Sequence, residues 1–204
     1  MIGPCFGCCI STSGVASASA ALTLVERTAV TTNSLVVDLA TIRPPIAHTA
    51  LADIATGLAQ SARRWLPLLP ALDGQRTGLR MIGTPDYDAW LLRWPPGTAV
   101  SPHDHGDSVG VFTVVTGQLT EVRWEHARRR TRQVRPGHVI SLGRGVVHDV
   151  IAGTTASLSV HVYSPPLEVM GYYADGGVRL LDRQPVDRTD GPVLPPRALH
   201  PSSP

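Results

Sequence analysis

The sequence contains no lysine, few cysteines and no long apolar run, and these shortages narrow the classes of protein to which it can belong. All 18 basic residues are arginine, which we attribute to a GC-rich coding bias rather than to function. The formal charge is only +2 and charged residues make up 17% of the chain, so neither nucleic acid nor an anionic membrane is an expected partner. The apolar stretches are far shorter than the about 18 residues that a transmembrane helix needs. A soluble protein that binds a small molecule is therefore expected.

The cysteines and the two ends of the chain predict little of the folded domain. Cys5, Cys8 and Cys9 lie close together near the start, so no disulfide can link distant parts of the domain, and a reducing cytoplasm is the predicted location. Residues 1–28 are rich in Ser, Ala, Thr and Gly without sustained periodicity, and they predict a poorly ordered leader. The proline-rich residues 191–204 predict an extended tail.

Residues 29–190 predict one folded domain that is mainly β, namely a β-barrel or jelly roll with an N-terminal helical cap. In the cap, residues 29–80, apolar positions recur at helical spacing from 47 to 72, and Pro67 and Pro70 interrupt the end of the helix. In the barrel, residues 81–190, short runs punctuated by Gly and Pro predict strands at 87–94, 109–115, 119–124, 139–142, 146–151 and 158–163. The arginine-rich run at 128–132 is interpreted as a solvated hairpin tip.

Three histidines have the spacing of a metal site. His103 and His105 are two residues apart, which on a strand places both imidazoles on one face. His148 belongs to a later strand that a barrel can bring to the same depth. The alternative, two surface histidines and one core histidine, requires three coincidences of spacing. Imidazole binds iron, copper, nickel and zinc alike, so the ligands alone leave the metal open.

A row of polar residues alternates with apolar residues on the last predicted strand. Ser159, His161 and Tyr163 share one face, so their side chains can hydrogen-bond in series if that face lines the metal cavity. In the alternative arrangement the polar row faces solvent and the valines of the opposite face pack in the core.

These motifs resemble those of the cupins and, more specifically, of the cysteine dioxygenase family. Gly97-(x5)-His103-x-His105 and Gly137-(x7)-Gly145-x-x-His148 resemble the two cupin motifs, with Gly110 in place of the usual acidic ligand. Residues 79–173 are similar to cysteine dioxygenases through three segments: His103-Asp-His105-Gly-Asp-Ser108, Ser159-x-His161-x-Tyr163, and Ser164-Pro165-Pro166-Leu167. Vertebrate members carry a cysteine at the position of Gly110, crosslinked to the tyrosine, so the chain is more similar to bacterial members. The resemblance also implies a cis peptide bond at Ser164-Pro165.

The resemblance implies a metal and a set of site residues. His103, His105 and His148 are expected to hold one Fe(II) per chain. The row of Ser159, His161 and Tyr163 is expected to be catalytic. Arg80 is expected to bind the substrate carboxylate, with Arg76 as the next candidate.

The resemblance also implies a reaction, the oxidation of L-cysteine by O2 to cysteine sulfinate in cysteine catabolism. The partners would be a small thiol and O2, without nucleic acid or membrane, and the protein would be a monomer or a weak homo-oligomer. One alternative is a dioxygenase for 3-mercaptopropionate or another small thiol. A second alternative is a non-catalytic cupin that binds a small molecule.

Overall fold

The computed structural model describes residues 44–69, 74–125, 128–174, 176–188 and 192–193. The predicted leader, with Cys5, Cys8 and Cys9, lies outside these residues, as does most of the predicted tail. The described chain is mainly β, as predicted, and its helix precedes the strands. No helix in these ranges is long and apolar enough to cross a membrane.

Helix α1 (His48–Gln60) is followed by two 3-10 turns, Ala62–Arg64 and Leu66–Leu68. Pro67 lies within the second turn, in agreement with the predicted break at the end of the helix, because proline cannot continue an α-helix. The apolar face of α1 packs on the outer side of a sheet, where Leu51 and Ala55 join a buried cluster with Val111, Val160 and Val162. The helix therefore covers one face of the β-domain.

The strands are β1 (Thr77–Gly83), β2 (Asp88–Trp94), β3 (Ala99–Asp104), β4 (Val109–Thr116), β5 (Leu119–Glu125), β6 (Arg128–Val134), β7 (Val139–Leu142), β8 (His148–Ala152), β9 (Ser157–Ser164), β10 (Val169–Ala174), β11 (Arg179–Pro185) and β12 (Pro192–Val193). They form two six-stranded sheets, in the orders β12-β1-β2-β9-β4-β7 and β11-β10-β3-β8-β5-β6. Residues of both sheets, including Trp94, Phe112, Leu119 and Val150, pack in one buried cluster between them. This jelly-roll arrangement agrees with the predicted cupin fold.

Several segments differ from the predictions. β1 begins at Thr77, so the β-domain starts a few residues before the predicted boundary at 80/81. The arginine run predicted as a hairpin tip is strand β6, which pairs along its length with β5. Residues 192–193 of the predicted tail form β12 and pair with β1. The Ser164-Pro165 peptide bond is cis, as the resemblance implied.

Candidate active site

Three buried histidines come together on the inner face of one sheet. His103 lies on β3 and is paired directly with His148, the first residue of β8. His105 follows the end of β3 and is also buried. One ligand atom of each histidine lies within 4.8 Å of the corresponding atoms of the other two. The structure thus brings together all three histidines that the spacing selected.

The state of the imidazole nitrogens fits a metal ion. His148 Nε2 is buried and has no hydrogen-bond partner among the described residues, which is costly for a polar atom unless a ligand uses it. Nδ1 of two of the rings has a partner, since His103 Nδ1 lies 2.9 Å from the Ser101 carbonyl oxygen and His148 Nδ1 lies 3.2 Å from Glu121 Oε1. Burial lowers the pKa of His103, His105 and His148. The rings are therefore held neutral, which is the form that binds metal.

Glu121 is a buried carboxylate that the sequence analysis did not select. It lies on β5 and contacts His148, Arg132 and Arg123. Burial raises the pKa of Glu121, but the hydrogen bonds from His148 and Arg132 and the charge of Arg123 outweigh that effect and bring the pKa to about 2. Glu121 is thus ionised and accepts the hydrogen bond of a candidate metal ligand. The available signal was strand alternation, which places Glu121 on the same face as the buried Leu119.

The predicted polar row forms a continuous hydrogen-bonded chain. Trp94 Nε1 donates to Ser159 Oγ at 2.8 Å, Ser159 Oγ lies 2.8 Å from His161 Nε2, and His161 Nδ1 lies 3.2 Å from the Tyr163 hydroxyl. The His161 ring stacks on Phe112, with a centroid distance of 5.0 Å and an interplanar angle of 9°. The row is buried and does not face solvent, and the valines of the opposite face pack under α1. Both faces of β9 are therefore enclosed.

The polar row ends beside the histidines. The ring centroid of Tyr163 lies 4.7 Å from that of His105, so the phenol and the candidate metal site are adjacent. Burial raises the pKa of Tyr163 above its ordinary value, which keeps the hydroxyl protonated and able to donate a hydrogen bond. Behind the ring, a Cβ atom at Gly110 would lie 2.8 Å from Tyr163 Cδ1. Glycine at this position therefore leaves the space that the phenol ring occupies.

A cavity of about 80 Å³ opens between the histidines and the polar row. His103, His148, His161 and Tyr163 contribute its polar side, together with Arg76. Most of the remaining wall is apolar and comes from both sheets, namely from Trp90, Leu92, Trp94, Val100, Val150, Leu167, Met170 and Val186. A cavity that combines apolar walls, one arginine and a group of metal-binding side chains is suited to a small anionic ligand.

Comparison with known protein families identifies a family for this chain. Residues 21–175 match the family described as cysteine dioxygenase type I. The chain belongs to the cysteine dioxygenase type I family.

Solved structures with partial similarity to this family member include several cupins. An uncharacterized conserved protein with a double-stranded β-helix domain from Klebsiella pneumoniae is 17% identical, with a TM-score of 0.45 over 53% of this chain and 93% of that chain. The Cnp3 cupin domain of Schizosaccharomyces pombe is 17% identical, with a TM-score of 0.42 over 48% of this chain and 70% of that chain. An oxalate oxidase in complex with the substrate analogue glycolate is 18% identical, with a TM-score of 0.41 over 46% of this chain. The match spans 52% of the oxalate oxidase chain.

Two arginines of this cysteine dioxygenase family member differ in their relation to the cavity. Arg76 lines it, with its guanidinium carbon 5.1 Å from the Trp94 ring centroid. Arg80, the residue expected to bind the substrate, is not among the lining residues. Its Nη1 donates to the Arg188 carbonyl oxygen at 2.8 Å, and its Nε lies 3.7 Å from Asp88 Oδ2. Of the two arginines, Arg76 therefore lies in the wall of the cavity and Arg80 does not.

The sequence pattern around β1 does not distinguish the two arginines. On a β-strand, side chains four residues apart point to the same face. Arg76 and Arg80 therefore satisfy the same strand pattern, and their distance from the histidines depends on how β1 lies against its neighbours. Arg76 lies in the cavity wall with His103 and His161, and burial, followed by charges that include Arg76, lowers the pKa of both histidines.

Proposed function

We propose that this protein is a thiol dioxygenase that oxidises L-cysteine with O2 to cysteine sulfinate. The observation that carries the proposal is the convergence of three elements on one cavity: the His103, His105 and His148 cluster, the Tyr163 end of the polar row, and the Arg76 guanidinium. The substrate thiol would take up both oxygen atoms of one dioxygen molecule, with its sulfur oxidised and the oxygen reduced, so the reaction needs no other reductant.

The three histidines would hold one Fe(II) ion per chain. Because all three ligands are neutral and no carboxylate joins them, the bound ion would keep its full charge and supply open positions for an anionic thiolate and for dioxygen. The apolar wall formed by residues such as Leu167 and Met170 would exclude water from these positions and strengthen the electrostatic contacts there.

Arg76 is the proposed carboxylate-binding residue, in place of Arg80. A guanidinium can bind a carboxylate through two parallel hydrogen bonds, which fixes the orientation of the substrate as well as its position. Arg76 stacks against Trp94, and this contact would hold the guanidinium towards the cavity. Arg76 is part of the cavity lining, so its donors can serve a ligand.

Tyr163 would hold a proton at the edge of the reacting site. Its hydroxyl is oriented by His161, which in turn contacts Ser159. Because its pKa is raised by burial, the phenol would act as a hydrogen-bond donor to an oxygen atom of the substrate complex rather than as a base.

One observation favours a second candidate substrate, 3-mercaptopropionate. The lining residues of the cavity include an arginine but no carboxylate, so the protein supplies a partner for the carboxylate of a thiol acid and no anionic partner for an amine. A thiol acid without an amine would therefore satisfy the side chains of the cavity as well as L-cysteine does.

The proposal is tested by loading the protein with iron anaerobically and measuring oxygen uptake with L-cysteine, 3-mercaptopropionate and cysteamine. We expect uptake with L-cysteine, with one sulfinate formed for each dioxygen consumed, and none with the matched His148→Ala variant. Faster turnover of 3-mercaptopropionate would select the second candidate. Absence of uptake with every thiol, from protein that retains iron, would contradict both and indicate a binding protein.

A further inference from the structure

Arg80 belongs to a buried ionic pair beside the candidate site. Asp88, the first residue of β2, has no solvent exposure and is paired across the sheet with Tyr163. One carboxylate oxygen, Oδ2, lies 3.7 Å from Arg80 Nε. The other, Oδ1, accepts a hydrogen bond of 3.3 Å from the backbone N–H of Leu167. Leu167 lines the cavity, so Asp88 is hydrogen-bonded to a residue of the cavity wall.

Through another nitrogen of its guanidinium, Arg80 also contacts a second segment that lines the cavity. Residues 186–188, which we call the C-terminal segment, follow β11. Val186 lines the cavity, and its N–H donates to the Glu168 carbonyl oxygen at 2.8 Å. The carbonyl oxygen of Arg188 accepts a hydrogen bond of 2.8 Å from Arg80 Nη1. The side chain of Arg188 also forms an ion pair of 2.9 Å with Glu168. Because this ion pair is solvent-exposed, it contributes little to stability.

The shape of the guanidinium explains why arginine is suited to this position. Its planar fork presents Nε and Nη1 in fixed directions, so a single side chain can face the Asp88 carboxylate and the Arg188 carbonyl at once. Lysine carries one ammonium group, which can pair with Asp88 but not reach both partners in the same geometry. Leu167 and Val186 belong to separate segments, and the Asp88–Arg80 pair connects them.

We propose that Arg80 and Asp88 are positioning residues that fix the Leu167 and Val186 walls of the cavity, and so determine how tightly substrate binds without touching it. The pair would determine the width of the cavity, whereas Arg76 would bind the charged carboxylate of the ligand. This inference rests on the proposed function for the identity of the ligand, but the positioning of the C-terminal segment is independent of turnover.

The test uses two variants and a control. Arg80→Lys keeps a positive charge beside Asp88 and removes the hydrogen bond to the C-terminal segment. The double variant Arg80→Met with Asp88→Asn removes both charges, so that no buried charge remains without a partner if the lysine variant folds poorly. Arg144→Met is the matched control, because Arg144 is exposed on the turn before β8. Hydrogen exchange of the C-terminal segment is measured without substrate, and anaerobic binding of L-cysteine to iron-loaded protein is measured by calorimetry.

We expect exchange in the C-terminal segment to be about tenfold faster in both variants, as for the loss of one hydrogen bond, with the iron content and the exchange of β9 unchanged. L-cysteine should bind about tenfold more weakly, and the Arg144→Met control should match the wild type. Unchanged exchange, or faster exchange with unchanged L-cysteine affinity, would overturn the inference. If wild-type protein neither binds nor oxidises a thiol, the proposed function fails, and the exchange result alone decides whether the pair positions the segment.

Discussion

The Glu121 carboxylate lies 3.2 Å from Nδ1 of His148 and so orients one of the three candidate metal ligands from behind. A carboxylate in this position fixes the tautomer of the imidazole and raises its basicity as a ligand. We predict that Glu121→Gln, which keeps the shape and removes the charge, weakens metal binding about tenfold. Competition with a chelator measures the change. Asp53→Asn on the exposed side of α1 is the control, and equal affinity in both variants would exclude the orienting role.

Removal of any one imidazole tests the site itself. We predict that His103→Ala, His105→Ala and His148→Ala each abolish stoichiometric iron binding, because the two remaining neutral ligands bind the ion too weakly. The β-domain should stay folded, since the apolar cluster between the sheets surrounds the histidines without including them. Metal analysis and circular dichroism check the two parts of the prediction. Iron retained at wild-type affinity in all three variants would contradict the assignment of these histidines as metal ligands.

Substitution of Tyr163 should affect turnover without affecting metal binding. Tyr163→Phe should retain iron and lose at least about tenfold in kcat, because the hydroxyl is the end of the hydrogen-bonded row and does not belong to the ligand set. Tyr172→Phe is the matched control, since that ring also lies near His103 but its hydroxyl is 3.8 Å from the Met170 sulfur. Unchanged oxygen uptake in Tyr163→Phe would make the row a structural feature of β9.

The two arginines should give different substrate profiles. Arg76→Ala should raise KM for L-cysteine by the equivalent of about 2–5 kcal/mol, because the carboxylate loses its charged partner. Cysteamine, which has no carboxylate, should be a poor substrate of the wild type and change little in this variant.

Arg80→Lys is the comparison for that prediction. Because Arg80 acts on the walls of the cavity, its substitution should affect L-cysteine and cysteamine to a similar extent. Steady-state oxygen uptake with both thiols separates the two patterns. A loss confined to L-cysteine in Arg80→Lys, with Arg76→Ala unaffected, would return the carboxylate-binding role to Arg80.

Asp88 should make stability depend on pH. Burial raises the pKa of Asp88 to about 6, so the folded state holds this proton more tightly than the unfolded state. Its contribution to stability is complete below the unfolded pKa and is lost as the pH rises through about 6. Relative to the wild type, Asp88→Asn should therefore gain about 2 kcal/mol in unfolding free energy between pH 4 and pH 8. Urea unfolding at the two pH values measures the difference, and a constant difference would contradict the assignment.

The parts of the site that could be predicted are those encoded within single strands. Period-two alternation on β9 groups Ser159 with His161 and Tyr163, and a spacing of two places His103 beside His105. Strand alternation places Glu121 on the buried face of β5, and Arg76 was the second candidate for carboxylate binding, but the role of each depends on which strands are neighbours and where each strand lies relative to the cavity. Local periodicity contains no information about either.

The same limit explains two of the strands that were not predicted, β6 and β11. β6 is an edge strand, and its first six residues are exposed, so it has no apolar face to produce an alternating pattern. β11 is likewise an edge strand and mostly exposed. Both strands are defined by pairing with a neighbour rather than by burial of one face. The core strands that were predicted, in contrast, have apolar runs bounded by glycine and proline.

The contact between Gly110 and Tyr163 has a consequence for how this protein can evolve. A methyl group at position 110 and the phenol ring compete for one volume, since the added carbon would lie within 3.0 Å of two ring atoms. Gly110→Ala is therefore expected to push the Tyr163 ring from its place beside His105. The two positions are epistatic, because a larger residue at position 110 can coexist with the tyrosine only where the phenol ring has shifted.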